Sequence, residues 1–318
     1  MEANKKILFG VDESDFARQA LAATGDLEKR NSELAITIFH GLGGPGYGSK
    51  VKMLGLSPDE TEKIQQLLIV EGKNILKKAE ETLVASGFDP RRISTIFEQD
   101  ITDPSETMIK LADSRGFETI AVGRWGATTV SRQILGTITY RLTSAAVAPI
   151  IWVVDPRVVS KHVLVTLIGA PVGQRIVDYT VRYFGHLKES RFTFFHVIPM
   201  FPHQCRDYDC IPGQDGFEAL KEKMGQWLAE EKAKVTRFAE EAISQLIECG
   251  VPEQNITLKL VPQEKGVARD ILKELNDGNH GILVIGRKGA GNIQEFGLGS
   301  KVNKLLPAAQ TFITCIVS

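Results

Sequence analysis

Two glycine-containing stretches hold the residues whose types and spacing could bind a charged ligand. In the first, Gly123 and Gly126 are followed, after nine intervening residues, by Gly136 and Thr137. The preceding run, 119–122, is apolar and β-branched, which is typical of a buried parallel strand, and a helical pattern follows the stretch. Glycine lets the backbone approach an anion closely, and the first helical turn offers unpaired N–H groups and a positive dipole end. The stretch therefore predicts a phosphate-binding loop to which Thr137 adds a hydroxyl group.

The second stretch repeats the first near the end of the chain. Gly286 and Gly289 are followed, after nine intervening residues, by Gly299 and Ser300. Each of these residues lies 163 positions after its counterpart, and this copy also follows an apolar run and precedes a helical pattern. Two matches in register, each between a strand and a helix, argue against chance. We therefore interpret the chain as a tandem duplication.

Strand and helix patterns alternate along the first half of the sequence. Strands are predicted at 7–11, 34–40, 93–98, 119–122 and 150–154. A glycine-rich connector is expected from Gly41 to Leu56, and a long helix opens at Ser57 and ends at Gly87. This alternation is typical of a doubly wound parallel sheet. Because the second half repeats the order, we predict two five-stranded α/β units, a first unit at 1–155 and a second unit at 158–318.

Composition excludes several classes of protein. A chain of 318 residues with 43% hydrophobic and 24% charged residues is ordinary for two globular domains. Its net charge of −1 does not favour nucleic acid as a partner. No apolar run approaches the length of about 18 residues that a membrane span needs, and no secretory signal precedes the first strand, so we expect a cytoplasmic protein. The 4 cysteines are too sparse for a disulfide framework.

The doubled motif resembles the nucleotide loop of the universal stress protein family, and its two copies make the chain resemble a tandem member of that family. The resemblance covers essentially the whole chain. It implies an adenine nucleotide α-hydrolase-like fold in which the fifth strands of the two units pair as an internal pseudo-dimer. A further homodimer of the whole chain is expected. The implied function is a stress-response sensor or regulator that binds ATP or a related adenine nucleotide, with or without Mg²⁺, and hydrolyses it slowly at most.

The same resemblance assigns roles to individual residues of the first unit. In the family, the acid at the end of the first strand faces the adenine, and Asp12 occupies that place. The backbone after the second strand, at Gly41, is the other expected base contact. Arg124 and Arg132 lie in the loop and could offset phosphate charge, although arginines in such a loop are more commonly solvated surface residues. Arg287 is the matching site residue of the second copy, where it could offset the charge of Glu295. From the residues alone, Asp12 is nearly as well interpreted as a capping acid.

The second unit departs from the pattern at its base pocket. Aligning the two copies places Ile168 where Asp12 stands, and a branched apolar side chain cannot accept a hydrogen bond from an exocyclic amine. Glu295 also adds a negative charge to the second loop. We therefore predict nucleotide binding there that is weaker, different or absent.

One cluster has the composition of a metal site. His203, Cys205 and Cys210 fall within eight residues and could hold Zn²⁺ if a fourth ligand came from elsewhere. The two cysteines could equally form a redox-sensitive disulfide. We favour a surface loop with two free thiols. His40 and His196, at equivalent strand ends, are predicted to be buried and hydrogen-bonded rather than catalytic.

Two other functions compete with a nucleotide sensor. An ATP-using adenylating enzyme of the same fold class would carry S-G-G-x-D-S after the first strand or an H-x-G-H loop, whereas residues 10–14 are G-V-D-E-S. The other rival is an interaction or scaffold protein whose pockets no longer bind nucleotide. Ile168 favours that alternative for the second unit.

Overall fold

The computed structural model of the chain describes residues 5–43, 55–126, 135–145, 149–168, 172–198, 215–287 and 300–318. Over these ranges the chain forms ten strands and eight α-helices. The strands are β1 Lys5–Gly10, β2 Leu34–Gly43, β3 Ile93–Ile101, β4 Thr119–Gly123, β5 Ile150–Val154, β6 Val163–Thr166, β7 Phe192–Ile198, β8 Ile256–Pro262, β9 Ile282–Gly286 and β10 Ile313–Val317. The helices are α1 Asp15–Glu28, α2 Pro58–Ala85, α3 Pro104–Arg115, α4 Thr137–Ser144, α5 Val172–Phe184, α6 Asp215–Glu248, α7 Val267–Asp277 and α8 Ser300–Ala308.

All ten of these strands belong to one continuous sheet in the order β3-β2-β1-β4-β5-β10-β9-β6-β7-β8. Neighbouring strands are parallel within each unit, whereas β5 and β10 are antiparallel, with Trp152 opposite Cys315. Each unit therefore repeats the strand order 3-2-1-4-5, and the two fifth strands meet at the centre. The predicted fold class, with its pairing of fifth strands, is confirmed.

Local sequence signals explain where the helices begin. The Ser14 hydroxyl accepts a hydrogen bond from the Ala17 N–H at 3.1 Å and so caps α1. Ser57 and Glu60 form a reciprocal capping box at the start of α2, and Asp103 caps α3. These caps fix the helix N-termini relative to the strand ends that precede them.

The end of β2 differs from the prediction. The sequence suggests a glycine connector that begins at Gly41, but the strand continues to Gly43, pairing Gly41 with Glu98 and Gly43 with Ile101. Gly43 has a φ of +136°, and a Cβ there would lie 2.2 Å from the Ile101 carbonyl oxygen. Glycine is needed here because the two backbones approach closely and one residue takes a conformation that L side chains rarely adopt.

The core lies on both faces of the sheet. One face packs against α1, α2, α5 and α6, and the other against α3, α4, α7 and α8. On the first face, the fully buried Trp152 of β5 stacks on Phe184 of α5 at 5.4 Å between ring centroids. Nearby, the Tyr183 hydroxyl donates to the Glu118 carboxylate at 2.9 Å. Aromatic residues of the second unit therefore complete the core of the first.

Candidate functional site

A cavity of about 340 Å³ opens at the carboxyl ends of β1, β2 and β4. Its position, beside the point where the strand order reverses between β1 and β4, is where open α/β sheets bind ligands. The residues lining it come from these strand ends and from the starts of α1, α3 and α4. They include Gly10, Val11, Asp12, Phe39, His40, Gly41, Pro104, Met108, Gly123, Trp125, Gly126, Gly136, Thr137, Ile138 and Thr139.

Asp12 follows β1 and lies at the wall of this cavity. Its Oδ1 accepts hydrogen bonds from the Ser14 N–H at 3.0 Å and from the Ser14 hydroxyl. Ser14 in turn caps α1. The two interpretations of Asp12 are therefore compatible, because the carboxylate orders the start of α1 and lines the cavity at once.

The glycines of the first motif allow close approach between parts of the loop. A Cβ on Gly126 would lie 2.6 Å from Asp12 Oδ2, and one on Gly136 would lie 3.3 Å from the Gly126 nitrogen. The Gly136 N–H also donates to the Arg124 carbonyl oxygen at 3.0 Å. The motif thus brings the end of β4, the start of α4 and Asp12 together around one space.

The N-terminus of α4 faces the cavity. Gly136 is its N-cap and makes no side-chain capping bond, and the first helical residues, Thr137 to Thr139, line the cavity. The Thr139 hydroxyl donates to the Gly123 carbonyl oxygen at 2.8 Å and so ties the helix to β4. The first N–H groups of a helix have no acceptor within the helix. This end of α4 can therefore donate to an anion, with the favourable sign of the helix dipole.

Gly41 and His40, at the end of β2, form the opposite wall. His40 Nδ1 donates to the Val11 carbonyl oxygen at 2.9 Å, and His196 Nδ1 makes the same bond to Leu167 in the second unit. Both rings are 9% exposed. The prediction that these histidines are buried and hydrogen-bonded is confirmed, and each ties the end of its second strand to that of its first.

Arg124 has a different role from the one expected. Its side chain is 6% exposed and does not line the cavity. Nη2 donates to the carbonyl oxygens of Leu306 and Pro307, at 2.6 and 3.0 Å, in α8 of the second unit. Burial lowers the pKa of Arg124. The expectation that it offsets phosphate charge is corrected: it joins the two units.

Arg287 has a similar role. It is 3% exposed, and Nη1 donates to the carbonyl oxygens of Thr143 and Ala145, at 2.7 and 2.6 Å, at the end of α4. Nε donates to the Ser318 hydroxyl at 3.0 Å. Burial lowers the pKa of Arg287 to about 10, which leaves it charged at neutral pH. This arginine of the second unit therefore contacts the first.

The corresponding place in the second unit is crowded by apolar side chains. A Cβ on Gly286 would lie 2.8 Å from Ile168 Cδ1, 3.2 Å from Ile176 Cδ1 and 3.2 Å from Val172 Cγ1. Ile168 also packs against the buried core cluster. The side chain that replaces the acid thus faces the end of β9 and makes that region apolar.

Several predicted site residues lie outside the described part of the chain. They are Arg132, Gly289, Gly299, Glu295, His203, Cys205 and Cys210. Ser300 begins α8. Among the described residues, no group of three His, Cys, Asp or Glu side chains could hold a metal ion. Within those same residues, none of the helices is long and apolar enough to span a membrane.

The sequence prediction missed the walls of the cavity. Phe39, Pro104 and Met108 line it, and their only sequence signal is a position near a strand end or a helix start. Trp125 is 8% exposed and also lines the cavity. Its ring packs edge-on against Phe16, with 4.9 Å between centroids. These residues supply flat apolar surface beside the polar groups.

The family comparison matches the first of the two units. Residues 3–153 match the model of the universal stress protein family. No protein with a curated function matches the sequence.

Solved structures match the chain over nearly its full length. A universal stress protein from Archaeoglobus fulgidus DSM 4304 is 15% identical, covers 100% of this chain and 99% of its own, and has a TM-score of 0.62. A functionally unknown protein from Pseudomonas aeruginosa PAO1 is 12% identical, covers 98% of this chain and 92% of its own, and has a TM-score of 0.54. At these identities the likeness concerns the fold alone. Residues 3–153 of this chain therefore form a universal stress protein domain, and the whole chain has the fold of the universal stress protein from Archaeoglobus fulgidus.

Proposed function

We propose that the first unit binds ATP or a related adenine nucleotide, and that the chain acts as a stress-response sensor or regulator. The observation that carries the proposal is the cavity at the ends of β1, β2 and β4, which is lined by the N-terminus of α4, by Asp12 and by Gly41. An elongated ligand with an anionic end and a polar aromatic end suits this arrangement. The proposed site residues are Asp12, Gly41, Gly123, Gly126, Gly136 and Thr137.

The anionic end of the ligand is assigned to α4. Thr137 is exposed at the first helical position, and the N–H groups of the first turn have no acceptor within the helix. A phosphate there gains hydrogen bonds and the positive end of the dipole. Asp12 and Glu13 also line the cavity, and like charges repel, so we assign the phosphates to the N–H groups of α4 and not to these carboxylates.

The base end of the ligand is assigned to Asp12. A carboxylate has two oxygens and about four acceptor sites, so Asp12 can accept a hydrogen bond from an exocyclic amine in addition to the one from Ser14. The apolar surfaces of Phe39, Met108 and Trp125 offer contacts for the flat faces of the ligand. A preference for adenine over guanine follows, because guanine presents a carbonyl at the position of the adenine amine.

The cavity can position a nucleotide and stabilise its charge, so we propose that the first unit binds the nucleotide and hydrolyses it slowly at most. Mg²⁺, when present, would be held by the phosphates and water, since it is seldom bound by an all-protein cage. We further propose a cytoplasmic location and a homodimer of the whole chain.

For the second unit we propose altered ligand binding, with a role in interaction as the alternative. The apolar contact of Ile168 with the end of β9 is the observation that favours this. A pocket without the acid loses the hydrogen bond that selects an exocyclic amine.

The first experiment is to release bound small molecules from freshly purified protein by heat and identify them by mass spectrometry. Calorimetry then measures binding of ATP, ADP, AMP and GTP with Mg²⁺. We expect an adenine nucleotide near one per chain, and an affinity that falls about tenfold or more in Asp12→Ala. Asp89→Ala is the matched control, because Asp89 accepts from the Arg91 N–H at 3.0 Å in a similar turn that does not line the cavity.

Folded protein that is empty and binds no added ATP would contradict the proposal. If Asp89→Ala lowered the affinity as much as Asp12→Ala does, the loss in Asp12→Ala would come from a destabilised turn and not from a contact with the ligand. A clear preference for GTP over ATP would exclude the assignment of Asp12 to the adenine amine.

A further inference from the structure

Two buried arginines join the two units in a reciprocal arrangement that we call the arginine clasp. Arg124 comes directly after β4 and binds the C-terminal carbonyls of α8, and Arg287 comes directly after β9 and binds those of α4. Helices α4 and α8 are the helices that follow the two loops. Each arginine thus binds the C-terminal end of a helix in the other unit, and the N-terminal end of that helix follows the glycine motif of that unit.

Arg287 adds a tertiary contact to the short helix α4, which Thr139 and Arg141 also tie to its neighbours. The helix has eight residues, and its N-cap, Gly136, makes no side-chain capping bond. Helices this short are marginal in water, and tertiary contacts supply most of their stability. Arg287 supplies such a contact at the other end, where a single guanidinium nitrogen bridges the carbonyls of Thr143 and Ala145.

The charge of Arg287 has the sign that suits its place. Helix C-termini carry partial negative charge, so a cation there stabilises the helix and reinforces the dipole that an anion meets at the other end. Its Nη2 has no hydrogen-bond partner within the described residues. Its acceptors are main-chain carbonyls and the Ser318 hydroxyl, so the favourable interaction of this buried charge is directed largely at α4.

We infer that Arg287 of the second unit is a positioning residue for the nucleotide site of the first unit. By fixing the C-terminal end of α4, it sets the orientation and order of the N–H groups that meet the phosphates. This inference rests on the proposed nucleotide binding of the first unit. Linkage makes the effect reciprocal: nucleotide that orders α4 also strengthens the contact between α4 and Arg287. Occupancy of the first unit therefore regulates the packing of the two units.

The test measures ATP binding to the full chain by calorimetry, with the signal of the first unit identified by its loss in Asp12→Ala. We expect Arg287→Ala to weaken ATP binding about 5- to 20-fold, although Arg287 does not line the cavity. Arg287→Lys keeps a cation that can donate to the same carbonyls, and we expect it to recover much of the affinity.

Tyr183→Phe is the matched control. It removes a half-buried hydrogen bond between the units, from Tyr183 to Glu118, on the face of the sheet opposite α4. We expect the ATP affinity of this variant to equal that of the wild type. An equal fall in Tyr183→Phe and Arg287→Ala would overturn the inference, because any loosening of the interface would then have the same effect. Wild-type affinity in folded Arg287→Ala would overturn it as well.

Hydrogen exchange separates this inference from the proposed function. In the absence of nucleotide, we expect faster exchange of the α4 amides in Arg287→Ala than in the wild type or Tyr183→Phe. A wild-type chain that binds no ATP would overturn the proposed function, whatever the exchange of α4. Unchanged exchange of α4 in Arg287→Ala would overturn the positioning role, whatever the affinity of the wild type.

Discussion

Glu28 and His186 lie 3.7 Å apart, between Oε2 and Nε2, where α1 of the first unit meets the end of α5 in the second. Glu28 is fully buried, and its carboxyl group accepts from Asn31 Nδ2 at 2.9 Å. His186 Nε2 donates to the Leu27 carbonyl oxygen at 3.2 Å. Burial raises the pKa of Glu28 to about 8, against the smaller opposing effects of Asn31, Lys5, Arg92 and Lys161, and burial lowers the pKa of His186.

Because the pKa of the Glu28 carboxyl group is raised, we expect its contribution to the stability of the folded chain to fall as the pH rises. Its pKa is raised on folding, so its stabilising contribution is complete below the ordinary value of 4.5 and is lost as the pH rises through about 8. Glu28→Gln keeps an acceptor for Asn31 but cannot ionise. In the wild type, we expect the free energy of unfolding, measured with denaturant, to decline by up to about 1.4 kcal/mol per pH unit between pH 5 and 8. In Glu28→Gln we expect this decline to be absent.

His186 contributes with the opposite sign, because its lowered pKa penalises the protonated ring as the pH falls below about 6.5. His186→Gln is therefore the control, and its effect should be confined to the acid side. Parallel pH profiles for Glu28→Gln and the wild type would show that Glu28 is ionised in the folded chain.

The centre of the continuous sheet predicts that the two units unfold together. Trp152 is fully buried and packs on Tyr183 and Phe184 of the second unit. We expect Trp152→Ala to reduce the free energy of unfolding by about 3–5 kcal/mol, since it removes a large core side chain. Trp227, 48% exposed, provides the matched control, and Trp227→Ala should change stability by less than about 1 kcal/mol.

Calorimetric unfolding of the same variants tests whether that loss is shared. A single transition that shifts as a whole in Trp152→Ala is expected. Two separate transitions, with only one of them shifted, would contradict joint unfolding of the units.

The sequence predicted features that depend on local patterns. The capping box of Ser57 with Glu60 and the apolar run of β5 are visible in short segments, and both are present in the structure. The motif glycines predicted where β4 ends and α4 begins, because their spacing along the chain is itself the signal.

Features created by contact between the units could not be predicted. Arg124 and Arg287 bind main-chain carbonyls far away in sequence, and a carbonyl group leaves no trace in residue identity. Glu28 resembles any acid at the end of a surface helix, and its burial depends on packing that local periodicity does not encode. The same limit applies to Met108, which lines the cavity only because α3 crosses the end of β1.

The apolar side chain of Ile168, in the place of Asp12, is expected to account for the difference in ligand binding between the two units. With the first site disabled by Asp12→Ala, we expect Ile168→Asp to increase ATP binding by the full chain, because it supplies the missing acceptor. Ile168→Ala is the control, since it removes the same apolar contacts with the end of β9 without adding an acceptor. Equal ATP affinity in the two double variants, measured by calorimetry, would show that the acid at this position does not determine binding.

A single methyl group added at Gly126 is expected to weaken ATP binding. A Cβ there would lie 2.6 Å from Asp12 Oδ2, so Gly126→Ala must displace the carboxylate from its place in the cavity. We expect ATP binding to weaken about tenfold while the far-ultraviolet circular dichroism stays that of the wild type. Gly225→Ala is the matched control, because a Cβ at that position in α6 meets no atom within 4 Å. Wild-type affinity in Gly126→Ala would mean that the position of the Asp12 carboxylate does not limit binding.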